Sequence, residues 1–105
     1  MRVYEAQIHI YITGYKTVED SAISCDFVRS SSECESAAQE LGLSDVTVVE
    51  DGQNGVTYDP PFCYMEDGSL KFNNLGTNTG PCSTNDICLC QQNEFCAKIM
   101  KFCLF

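Results

Sequence analysis

The strongest pattern in the chain is an alternation of apolar and polar residues on either side of an Asp-Gly pair. In PPFCYMEDGSLKFNN, residues 60–74, Asp67-Gly68 separates two short runs. A two-residue Asp-Gly connection is the turn whose twist suits antiparallel strands. Counting outward sets Glu66 opposite Ser69, Met65 opposite Leu70, Tyr64 opposite Lys71, Cys63 opposite Phe72 and Phe62 opposite Asn73. Alternate pairs lie on opposite faces. One face then carries Cys63, Met65, Leu70 and Phe72, the composition of a core. The other carries Phe62, Tyr64, Glu66, Ser69, Lys71 and Asn73, and reads as an outer face that meets water, a ligand or a second chain. Pro60 and Pro61 cannot donate ladder hydrogen bonds, so they mark the beginning of the strand and favour an edge position. Residues 76–81 (GTNTGP) have loop chemistry. The chain returns at 87–91 as a short strand in which Cys88 and Cys90 point the same way.

Three further segments show a pattern. Residues 3–12 alternate, with Ile8, Ile10 and Ile12 on one side and Gln7, His9 and Tyr11 on the other, as in a half-buried strand. Serine followed three places on by glutamate occurs as Ser30/Glu33 and Ser32/Glu35, which predicts a helix over 32–41. Its apolar stripe is Cys34, Ala37, Ala38 and Leu41, closed by Gly42, and Glu33, Glu35, Gln39 and Glu40 face water. The β-branched run DVTVVE, residues 45–50, predicts a strand over 46–49. The turn at 51–55, with Asp59 nearby, has residues that bind calcium elsewhere. Its spacing does not match D-x-[DN]-x-[DN]-G, and turns use Asp, Asn and Gly for backbone reasons alone.

Eight cysteines in 105 residues change the picture from an ordinary small domain to a cross-linked one. An even number in so short a chain reads as four bridges and a disulfide-permissive compartment, extracellular or lumenal. Cys34 on the helix stripe and Cys63 on the hairpin's core face meet if the helix packs on the sheet. Cys82 and Cys88 close a short loop. Cys25, just before the helix, reaches Cys90, which leaves Cys96 with Cys103. On a straight helix those last two would lie about 10 Å apart, beyond disulfide reach, so the tail is not one straight helix if they pair. A zinc site from Cys82, Cys88, Cys90 and Cys96 lacks C-x2-C knuckles and a nearby histidine. No metal and no cofactor are expected.

The net charge of −9, with six scattered Lys and Arg, argues against nucleic acid or an anionic membrane as partner. No stretch approaches the roughly 20 apolar residues of a transmembrane helix. Residues 1–12 carry Glu5 and His9 and do not read as a signal peptide, so the chain reads as a piece of a longer secreted or membrane-attached protein, or as a processed form. His9, the only histidine, reads as a solvent-facing strand residue. With no nucleophile–base pair, acid pair or cofactor loop, no catalytic residues are expected and the protein is read as non-enzymatic. The apolar tail, residues 92–105, presents Phe95, Ile99 and Phe102 as a stripe that packs on the sheet or docks on an assembly partner.

The runs SSECESAAQELGLSD and DPPFCYMEDGSLKFNNLGTNTGPCSTNDICLC together resemble a cysteine-rich repeat of extracellular proteins of dinoflagellates and other algae. The resemblance spans residues 25–91 and is carried above all by GSLKFN (68–73) and TGPC (79–82). It implies an extracellular, modular setting and six family cysteines, at 25, 34, 63, 82, 88 and 90; it implies no activity. The expected fold is α+β: one disulfide-rich domain over 1–105, an antiparallel sheet from 3–12, 46–49, 62–73 and 87–91, and one helix packed on it. The expected role is a recognition or adhesion module for a protein or glycan, with Phe62, Tyr64, Lys71 and Asn73 as the contact surface. The alternative is a structural subunit of a filament or larger assembly docking through its tail.

Overall fold

The computed structural model describes residues 14–92. The expectations for 3–12, His9, the Cys96–Cys103 pair and the apolar tail lie outside them. The described residues form a small disulfide-rich α+β domain. In chain order it consists of β1 (Tyr15–Val18), β2 (Asp26–Phe27), α1 (Ser31–Glu40), β3 (Val49–Glu50), β4 (Phe62–Glu66), β5 (Ser69–Asn73) and β6 (Asp86–Gln91).

The hairpin β4–β5 has the register read from the sequence, from Phe62↔Asn73 to Glu66↔Ser69. Its turn has positive φ at both Asp67 (52°) and Gly68 (78°), the type I′ geometry that Asp-Gly favours. β6 pairs antiparallel with β4 through residues 86–88 and with β2 through 90–91, while β1 runs along its other side. The sheet order is β1-β6-β4-β5-β3.

Helix α1 starts where the first serine frame puts it. The Ser30 hydroxyl accepts from Glu33 N–H at 3.1 Å. The helix ends in a Schellman motif, with Gly42 N–H bonded to Gln39 O and Leu43 N–H to Ala38 O. Cys34, Ala37 and Ala38 are fully buried against Cys63, Met65, Leu70, Phe72 and Leu89. The helix therefore covers the face assigned to the core.

Four features differ from the expectation. β4 lies inside the sheet between β6 and β5 and not at an edge, because Pro60 and Pro61 both precede its first residue. The sheet is mixed, because β3 pairs parallel with β5 at Val49↔Lys71 and Glu50↔Phe72. The strand over 46–49 shrinks to Val49–Glu50, since Asp45 Oδ1 accepts from Thr47 N–H at 3.0 Å and turns the chain, while Oδ2 takes Leu70 N–H at 2.9 Å. Glu33 and Glu35 are not merely solvated: Glu33 accepts from the Tyr15 hydroxyl and Glu35 from Val48 N–H.

The bridges run Cys25–Cys90, Cys34–Cys63 and Cys82–Cys88. These are three of the pairs that the packing argument named, and they use Cys82, Cys88 and Cys90, three of the four sulfurs of the zinc alternative. Cys34–Cys63 ties α1 to the hairpin. Cys88 lies opposite Tyr64, so Cys88 and Cys90 belong to the face away from the helix, where they pack with Val18, Cys82, Cys25 and Phe27. Both faces of the sheet are thus covered.

Candidate functional site

The second covering decides the fate of the expected contact surface. Tyr64 and Asn73 are fully buried. Two loops, 51–59 and 74–80, fold over that face through a polar network. The Tyr64 hydroxyl donates to Asp51 Oδ2 at 2.8 Å, and Asn73 Nδ2 donates to Asp51 Oδ1 and to Gln53 O. Asn78 Nδ2 donates to Gln53 Oε1 and Pro60 O, and its Oδ1 accepts from Val56 N–H. Burial, together with the hydrogen bond to Asp51, pushes the Tyr64 phenol well above its ordinary range. Lys71 is half-buried and paired with Glu66 Oε1 at 2.8 Å, which raises its ammonium pKa.

Phe62 leaves the alternation altogether. Its φ of 63° is left-handed, and its ring turns toward Phe72 and Phe27, with centroids 6.3 and 6.1 Å away and the Arg29 guanidinium 5.3 Å over it. The ring fills the space where a Cβ on Gly76 would stand. The four residues expected to form one exposed surface are therefore two buried network members, one ion-paired lysine and one packed ring. Pattern alone showed a mixed face; it did not show that two later loops return to cover it.

The same face gathers three carboxylates. Strand pairing sets Glu66 directly opposite Asp86, and Asp59 joins them, so that one oxygen from each lies within 4.8 Å of the others. Asp59 is held from two sides. Its Oδ2 accepts from Gln53 Nε2 at 2.9 Å, and Gly80 packs so close to its backbone that a Cβ there would lie 2.5 Å from Asp59 N. Asp86 is fixed by mutual bonds with Ser83, whose hydroxyl accepts from Asp86 N–H and whose N–H donates to Asp86 O, inside the loop closed by Cys82–Cys88. Asp59 Oδ1 and Asp86 Oδ1 are buried without a hydrogen-bond partner. Burial, and the neighbouring Asp59 and Glu66, push the Asp86 carboxyl up to about 6. The three residues are spread over 59–86 with no motif spacing. Only the β4–β6 pairing brings them together.

On the helix side, at the hairpin end of the sheet, a cleft of about 330 Å³ opens. It is lined by the buried Met65 and half-buried Leu43 and Ile87, and by the exposed Glu19, Asp67 and Asn85. Its size is at the lower end of the roughly 300–1,000 Å³ typical of ligand sites.

No family model matches the chain, and neither a curated protein nor a solved structure gives a match.

Proposed function

We propose that the chain is a non-enzymatic recognition module of an extracellular or lumenal compartment, and that its cleft takes a basic side chain from a partner protein. The observation that carries this reading is the cleft's make-up: apolar lining residues together with two exposed carboxylates. A lysine or arginine has the complementary form, an alkyl stem ending in a cation. The described lining holds no aromatic ring on which a sugar would stack, which favours protein over glycan among the two ligand classes that the sequence leaves open. The net charge of −9 steers basic partners toward the surface.

The cross-links support this compartment. Three bridges in 79 described residues belong to an oxidising environment, and no helix of the described residues is long and apolar enough to cross a membrane. The resemblance to algal extracellular repeats points the same way.

The test is a binding screen of the oxidised protein on an array of lysine- and arginine-bearing peptides and on a glycan array, repeated with Glu19→Gln/Asp67→Asn. Asparagine is accepted at a left-handed turn position, so the hairpin is kept. Retention on basic peptides that the double variant loses, with an unchanged circular dichroism spectrum, is the expected result. Retention on glycans alone, or peptide binding indifferent to the two substitutions, would overturn the reading.

A further inference from the structure

We propose that Asp59, Glu66 and Asp86 form a binding site for one calcium ion on the sheet face opposite the helix. This site is independent of the cleft, since Glu66 and Asp86 point away from the face that carries Met65 and Ile87.

Two observations carry the proposal. The first is geometric. Oxygens that ligate one calcium at 2.3–2.6 Å stand at most roughly 5 Å apart, and the three carboxylates offer oxygens within 4.8 Å of one another. The second is the state of those oxygens. Asp59 and Asp86 are only 3% and 8% exposed, and the Oδ1 of each is buried with no donor group facing it, the Asp86 carboxyl meeting instead the carboxyls of Glu66 and Asp59. A buried acceptor left unmade is costly and rare, and a bound ion is one of its recognised explanations.

Charge points the same way. Like charges directly opposite on neighbouring strands repel, yet the register fixes Glu66 against Asp86 with Asp59 beside them. The described ion pair at the cluster is Lys71 with Glu66 Oε1, so three negative charges face one positive. A divalent cation neutralises the remainder.

Oxygen-only donors select a hard cation over zinc. Calcium suits the site better than magnesium. It tolerates irregular geometry and mixed mono- and bidentate carboxylates, with water completing six to eight ligands, whereas magnesium demands a tighter octahedron. Glu66 is partly exposed, with 27% of its side chain accessible, which gives the ion a way in. Asp59 and Asp86 are held in place by Gln53, Gly80 and Ser83, so the site is preformed.

The experiment is calorimetric titration of the oxidised, chelator-stripped protein with calcium chloride and separately with magnesium chloride, together with thermal unfolding in millimolar calcium and in chelator. Expected are one calcium per chain, weaker magnesium binding and a higher unfolding temperature in calcium. Asp59→Asn and Asp86→Asn should each lose the calcium-dependent rise while unfolding, in chelator, at or above the wild-type temperature, because one buried charge has gone. Glu40→Gln, on the exposed side of the helix, should keep the rise. The proposal is overturned if the wild-type protein gives no binding heat and unfolds at one temperature in both media, or if both cluster variants keep the rise. Should a variant fail to fold, the wild-type comparison decides.

Discussion

Tyr64 anchors the cover of the second face through one hydroxyl. Its bond to Asp51 joins β4 to the 51–59 loop; Asp51 Oδ1 accepts from Asn73 Nδ2 and Gln53 N–H, while Oδ2 otherwise has only a long contact of 3.5 Å from Asn78. Tyr64→Phe leaves Asp51 Oδ2 with that long contact alone, and should cost about 1 kcal/mol in urea unfolding. Its protonation sets an alkaline limit as well. The folded-state pKa lies above the ordinary 10.0 because burial, and then Asp51, disfavour the phenolate. The unfolded chain therefore releases this proton first. The stability tied to it is full below pH about 10 and falls as pH rises beyond that. Tyrosinate absorbance followed against pH should show part of its amplitude appearing together with unfolding, and Tyr64→Phe should remove that part. Gly80 shows the cost of one extra atom. An alanine Cβ would lie 2.5 Å from Asp59 N and 2.7 Å from its carbonyl carbon, and backbone cannot step aside as a flexible side chain does. Gly80→Ala should lower the unfolding midpoint by the equivalent of roughly 2 kcal/mol or more.

At the scale of elements, the three bridges differ in the length of chain each encloses. Their sequence separations are 65, 29 and 6 for Cys25–Cys90, Cys34–Cys63 and Cys82–Cys88. Chain entropy alone then assigns them about 4, about 3.5 and about 2 kcal/mol respectively. Paired Cys→Ala variants compared by denaturant unfolding should lose least at Cys82–Cys88, and the cavity left between α1 and β4 should bring the loss at Cys34–Cys63 level with or beyond that at Cys25–Cys90. Ser30→Ala removes the hydroxyl that caps α1 and should cost about 1 kcal/mol, whereas Ser32→Ala, at the unused frame, should cost little. The hairpin and the helix were legible in the sequence because their signals are local: a two-residue turn, a period of two, a serine cap and a glycine stop. The 46–49 strand was misread because Asp45 competes for the backbone through its own side chain. β1 and β2 were missed because two to four residues give too short a window for periodicity. The carboxylate cluster was invisible for another reason. Pairing β6 beside β4 is a tertiary event, and the long connection over 74–85 leaves its register open in the sequence.

For the molecule as a whole, the decisive feature is a sheet covered on both sides by unlike materials. One cover is a short helix with buried alanines. The other is made of two loops, a polar network and four of the six bonded sulfurs among the described residues. A domain of this size buries little apolar surface, so the cross-links supply what the core cannot. The edge at β3 is only two residues long and exposed, a form that discourages strand addition. The four residues expected as a contact surface are buried, ion-paired or packed in this arrangement, which is why the cleft at the hairpin end carries the recognition reading instead. The whole construction depends on which sulfurs are joined. The most direct measurement is peptide mapping by mass spectrometry under non-reducing conditions, on protein never exposed to reductant. Linked peptides joining Cys25 to Cys90, Cys34 to Cys63 and Cys82 to Cys88 are the expected result. Free thiols at those six positions, or Cys34 joined to any partner other than Cys63, would contradict the fold described and the covering of its second face.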